Sequence, residues 1–187
     1  MKQEKQKMNS AHMLAANANE FHQVGYGLAA RIKSALVTKG FEVMVPAAVN
    51  FSLASELYLK AVHTMTGRPA AEIHKLWELF RTLPEFLRIQ FENKYKEAID
   101  ANQIKPLEIL PNGNAQIDNI ETLLLKHNDS FVQWRYVHEI KKTNHTYSFD
   151  FPRMHIFCQV LNEHTCSLMG NRQFKVATLP PSPDYSI

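Results

Sequence analysis

The sequence predicts an all-α fold, an up-and-down bundle of five to six helices. Two observations carry that expectation. Apolar residues recur three and four positions apart over six stretches, each bounded by Gly, Pro or a capping residue. Glycines number only six in 187 residues and hairpin signals are scarce, which excludes a sandwich or barrel. At 45% apolar residues the chain can bury a single core, so wholesale disorder is excluded.

Residues 1–9 are polar and read as a flexible N-terminus. Ser10 is a possible N-cap for a first helix whose face is Leu14, Ala18, Phe21, Gly25, Leu28, Ile32 and Ala35, with Gly40 as its stop. Residues 41–49 hold Pro46 and read as an apolar, extended connector. Asn50 or Ser52 can cap a second helix carrying Leu53, Leu57, Ala61 and Met65, ended by Gly67. Pro69 suits the first turn of a third helix with Ile73, Leu76, Trp77, Phe80 and Leu83. Pro84 starts a fourth, with Leu87, Phe91, Tyr95 and Ala98 on one side.

Pro106, Pro111 and Asn112-Gly113 mark a loop over 102–115. A fifth helix then runs through Ile117, Ile120, Leu124, His127 and Phe131 into Trp134, and 141–150 form a second loop. Asp150 can cap the last helix, with Pro152 in its first turn and Met154, Phe157, Leu161, Thr165 and Leu168 at helical spacing. Residues 10–170 therefore read as one bundle and 171–187, with three prolines, as a loose tail.

The formal net charge is +3, too mild to imply nucleic-acid or membrane binding by itself. Cys158 and Cys166 lie eight apart on one expected helix, about 12 Å at ~1.5 Å per residue, too far to bridge within it. A reducing compartment follows, and with no apolar run long enough to span a bilayer the expected location is cytoplasmic, without membrane contact. No zinc-ligand spacing, phosphate-cradling glycine loop or nucleophile elbow occurs, so no metal and no cofactor is expected.

Three constellations bear chemistry. Glu56 precedes Lys60 by four residues, the favourable order for a helical ion pair. It is either a solvated surface bridge or a charged pair turned toward a cleft. His74 is either a capping or packing residue or a proton-transfer group. The densest cluster is Trp134-Arg135-Tyr136-Val137-His138-Glu139. Arg135 and His138 share a helix face there. Arg135 can hold phosphate oxygens and His138 can exchange a proton near neutral pH, the equipment for cleaving RNA without a metal. The plainer reading makes Trp134 and Tyr136 core aromatics and pairs Arg135 with Glu139, or with Glu56.

Two of these segments carry a resemblance. Ala54-Ser-Glu56-Leu-Tyr-Leu-Lys60, then Gly67, then His74-Lys-Leu76-Trp-Glu-Leu79, resembles the HEPN superfamily (higher eukaryotes and prokaryotes nucleotide-binding), many of whose members show an Ala-x-Glu-Leu-x-Leu-Lys helix followed by His-x-Leu-x-x-Leu. Phe131-Val-Gln-Trp134-Arg135-Tyr136 is similar to a Trp-Arg-Tyr stretch of bacterial members of unknown function. The resemblance spans about residues 10–170. It implies a helical bundle, commonly a homodimer, often acting in toxin–antitoxin or antiviral defence systems. Active members are metal-independent endoribonucleases whose signature Arg is followed by His after four to six residues. Here Arg135 is followed by His138 after two residues and by His145 after nine, whereas Arg68 precedes His74 by five in a different helix.

The leading expectation is a homodimeric module that binds RNA, a nucleotide or a partner protein. Glu56, Lys60, His74, Tyr136 and Glu139 are its candidate binding residues. The runner-up is an endoribonuclease in which His138 or His145 moves the proton of a ribose 2′-hydroxyl and Arg135 steadies phosphate charge. A third reading is a structural or immunity partner protein.

Overall fold

The computed structural model describes residues 2–32, 40–68, 72–104, 118–135 and 149–168. Among them are seven helices and no strand: α1 (Lys2–Ile32), α2 (Gly40–Met65), α3 (Leu76–Arg81), α4 (Glu85–Ala101), α5 (Ile120–Lys126), α6 (Ser130–Arg135) and α7 (Phe151–Leu168). The architecture is an all-α bundle, as the apolar spacing requires. No described helix is long and apolar enough to cross a membrane.

The helix boundaries depart from the expected ones where tertiary contacts overrule local signals. α1 begins at Lys2, so Ser10 lies inside the helix and caps nothing. Gly40 opens α2 rather than closing α1, and the expected connector 41–49 is helical through Pro46. Proline removes one i→i−4 hydrogen bond there, but Ala47, Ala48 and Phe51 are fully buried on the same helix, and that burial outweighs the loss. Asn50 and Ser52 are therefore mid-helix. Their side chains donate back to the carbonyls of Pro46 at 2.7 Å and Ala48 at 2.8 Å. The helix does stop at Gly67, whose φ of +79° suits glycine.

α1 lies along α2, and α7 packs on α2, α4, α1 and α5. α1 comes close to α2 at Gly25, where an added Cβ would come within 3.2 Å of Phe51 Cδ2 and 3.3 Å of the Phe51 amide nitrogen. The backbone atom cannot swing aside. Gly25→Val is expected to lower stability by about 1–3 kcal/mol, whereas Gly27→Ala, which meets nothing within 4 Å, should gain about 0.5–1 kcal/mol of helix propensity. Urea midpoints of the two variants moving in opposite directions would check the packing.

α3 starts at Leu76, later than expected, so Ile73 and His74 precede it in an extended segment. Its buried Leu76, Leu79 and Phe80 seat it on the core, and the His63 ring donates from Nε2 to the Leu79 carbonyl at 2.9 Å. α4 follows Pro84 as expected and buries Leu87, Phe91, Tyr95 and Ile99 at four-residue steps. The single fifth helix expected through Phe131 is two pieces, α5 and α6. At the break, the Ser130 amide donates to the His127 carbonyl, and the His127 ring is held by Ser130 Oγ at 3.1 Å and the Asp150 amide at 3.3 Å.

α7 is buried on nearly every side and carries polar groups, among them Arg153, His155 and Cys158, that meet partners elsewhere in the bundle. Asp150 caps it, accepting from the Arg153 amide at 3.2 Å. Arg153 reaches Asp118 through Nε and NH2, the shortest contact being 2.8 Å, and Asp150 through NH1 at 3.2 Å. The Tyr95 hydroxyl donates to the same Asp118 at 3.3 Å. Deeper in, His22 Nε2 and His155 Nδ1 are 2.9 Å apart, with the Tyr26 ring tilted against His155 at a centroid distance of 4.5 Å. Cys158 and Cys166 are both free thiols. Burial pushes the Cys158 thiol up to about 12, so it is inert at neutral pH.

Candidate functional site

The Glu56–Lys60 pair forms, but not on the surface. Glu56 belongs to the stripe of α2 that faces the bundle, and its side chain is 5% exposed. Lys60, one turn later, brings Nζ to 2.8 Å from Oε1 and is itself only 13% exposed. His74, two residues before α3, brings Nδ1 to 2.9 Å from the same Oε1. The carboxylate accepts from both, so the neutral His74 ring carries its proton on Nδ1 and presents an unprotonated Nε2. His74 is 65% exposed, so this nitrogen is open to a ligand. The other carboxylate oxygen, Oε2, is buried without a hydrogen-bond partner. Removing Lys60 would leave the buried carboxylate without its lysine partner.

Beside His74 is a groove of about 350 Å³. One wall is Ile73, His74 and Lys75; the other is Asn128, Asp129, Phe131 and Val132, from the α5–α6 turn and α6. Asn128 fixes the two walls relative to each other by accepting the Trp77 amide on Oδ1 at 3.0 Å. The Arg135 guanidinium lies over the Phe131 ring, 5.9 Å from its centroid, a cation–π contact one turn along α6. The groove thus combines an aromatic face, an open imidazole nitrogen and the cations Lys75 and Arg135 at its edge.

Of the residues singled out in the sequence, Glu56, Lys60 and His74 meet in one cluster, and Arg135 stands at the border of the adjoining groove. The alternative pairing of Arg135 with Glu56 does not form, because Lys60 and His74 take that carboxylate. Tyr136, His138 and Glu139 lie outside the described residues, as does His145, and with them the Arg135–His138 and Arg135–Glu139 pairings. Trp134 is a core residue, buried with its ring edge toward Phe149. Arg68 donates to the Thr82 carbonyl, which commits it to bracing the turn after α3. Sequence reasoning did not find Lys75, Asn128 or Val132 as groove residues. The i,i+4 spacing of Phe131 and Arg135 was the one available signal.

Among the described residues no group of three or more His, Cys, Asp and Glu side chains is placed to hold a metal ion. Comparison of the chain with protein-family models, with curated proteins and with solved structures gives no match.

Proposed function

We propose that the protein is a HEPN-like helical homodimer that binds single-stranded RNA or a nucleotide in the groove beside Glu56, Lys60 and His74, in a defence or toxin–antitoxin setting. The observation that carries this reading is the meeting of two separated motifs. Glu56 and Lys60 come from α2 and His74 from the segment just before α3, and Lys60 and His74 share one Glu56 carboxylate oxygen beside an aromatic groove. An unpaired base stacks on Phe131 with Arg135 at its edge. Its phosphate meets Lys75, while buried Glu56 holds the imidazole in the tautomer whose open Nε2 accepts from a ribose hydroxyl or a base N–H.

Base stacking on one aromatic contributes about 1–3 kcal/mol. Phe131→Ala should therefore weaken binding of a short fluorescent RNA about tenfold or more by anisotropy, and Lys75→Ala should flatten the salt dependence. Equal affinity in wild type and Phe131→Ala would remove the groove from the account. The binding reading expects the RNA to stay intact in EDTA. Cleavage that His138→Ala abolishes would instead favour the endoribonuclease. Light scattering should give twice the monomer mass, and a monomer at tens of micromolar would count against the dimer.

A further inference from the structure

A second groove of about 310 Å³ lies between α3, α4 and the start of α5. Trp77 and Phe80, stacked with ring centroids 6.0 Å apart, line it together with Ile89. Ile89 is 55% exposed, and Phe86, three residues earlier on α4, is 67% exposed, so the apolar lining continues onto an uncovered helix face. Three carboxylates rim it, Glu85, Glu92 and Glu121. Glu92 is committed to the Ile120 amide, at 3.1 Å from Oε1 and 3.3 Å from Oε2, which leaves Glu85 and Glu121 facing solvent. Arg88, also in the lining, has its Nε buried without a hydrogen-bond partner.

We propose that this groove docks a basic amphipathic segment of a partner protein. An apolar anchor of that segment sits on Trp77 and Ile89, its lysines or arginines meet Glu85 and Glu121, and a main-chain carbonyl accepts from Arg88 Nε. Charge decides between the possible occupants. RNA would bring phosphates against three carboxylates. A two-fold contact of this face with itself would bring one rim of three carboxylates and a single arginine against another of the same charge. A cationic segment neutralises this rim, whose three carboxylates share the lining with one cation, Arg88. The site shares no lining residue with the RNA groove, so the two readings stand or fall separately.

A short amphipathic helix of Lys and Leu is a sufficient probe, with its Glu/Leu counterpart as control. The chain has two tryptophans; Trp134 is buried and Trp77 lies in the groove, so peptide binding should change the Trp77 emission. The Lys/Leu peptide should bind and the Glu/Leu peptide should not. The exposed pair of changes Glu85→Lys and Glu121→Lys should weaken binding about tenfold or more, while Glu97→Lys, exposed on α4 outside the groove, should leave it unchanged. Ile89→Ala should weaken it through the apolar anchor. Equal binding of both peptides, or unchanged affinity in the double variant, would overturn the proposal. So would a dimer that Ile89→Glu splits in sedimentation, which would assign the face to a second copy.

Discussion

Arg153→Ala is expected to destabilise the protein by about 3–5 kcal/mol, the range for removing one partner of a buried ion pair. In a chain of this size that lowers the melting temperature by about 10 °C. The guanidinium pairs with two carboxylates, Asp118 and Asp150, and it joins the start of α7 to the segment leading into α5. Without it both carboxylates lose this cation, and the Tyr95 hydroxyl that donates to Asp118 cannot neutralise either. Burial opposes the guanidinium's charge, but the hydrogen bonds it donates to Asp118 and the charges of Asp150 and Asp118 outweigh that and raise its pKa. Arg153→Lys should recover only part of the loss, because an ammonium cannot reproduce the bidentate fork. The Arg153→Ala, Asp118→Ala double variant should be less damaged than the sum of the singles. Additive losses would show that the two side chains do not act as a pair.

Mild acid should unfold the protein before its ordinary carboxylates titrate. Burial is the main cause holding three imidazoles neutral. His22 and His127 are lowered to about 3, the former helped by His155 and the latter by Lys126, and His155 is lowered to about 4. Hydrogen bonding agrees with neutral rings. His127 Nε2 must stay unprotonated to accept the Asp150 amide, and one of His22 Nε2 and His155 Nδ1 must accept from the other. The unfolded chain protonates these groups near 6.5. Above that pH both states are neutral and these histidines leave stability flat. As pH falls below 6.5 the unfolded state alone takes up protons, and each histidine removes about 1.4 kcal/mol per pH unit until its folded value is reached. By about pH 5 each has removed roughly 2 kcal/mol, and the three together approach the whole stability of a typical domain. Urea titrations between pH 7 and about pH 5 should show this slope, and His127→Gln should reduce it by about a third. A flat profile over that window would mean the rings are not buried neutral.

Local chemistry in the sequence was legible wherever the signal lay within one or two helical turns. The all-α class, the Pro84 start of α4, the Asp150 cap and the Glu56–Lys60 pair all follow from spacings of three or four residues. Pro46 misled because a proline signals a break, and only the burial of Ala47, Ala48 and Phe51 against α1 shows why the helix continues. The α5–α6 break depends on His127 contacting Asp150, and the start of α3 on the reach of His74 back to Glu56. His22 and His155 are 133 residues apart in sequence, and Arg153 and Asp118 are 35 apart. No periodicity links such pairs, so only the folded chain reveals them. The candidate site was half legible for the same reason. Its motif residues were visible as separate short patterns, whereas the groove that joins His74 to Phe131 is made by tertiary packing.

The most direct test of the account is the imidazole NMR spectrum of the protein titrated with a short single-stranded RNA. The His74 ring signals should move progressively with RNA, while those of buried His22, His155 and His127 stay in place, and Phe131→Ala should suppress the movement. RNA binding that leaves the His74 signals unmoved, or no binding at low salt, would contradict the assignment of the groove as the ligand site.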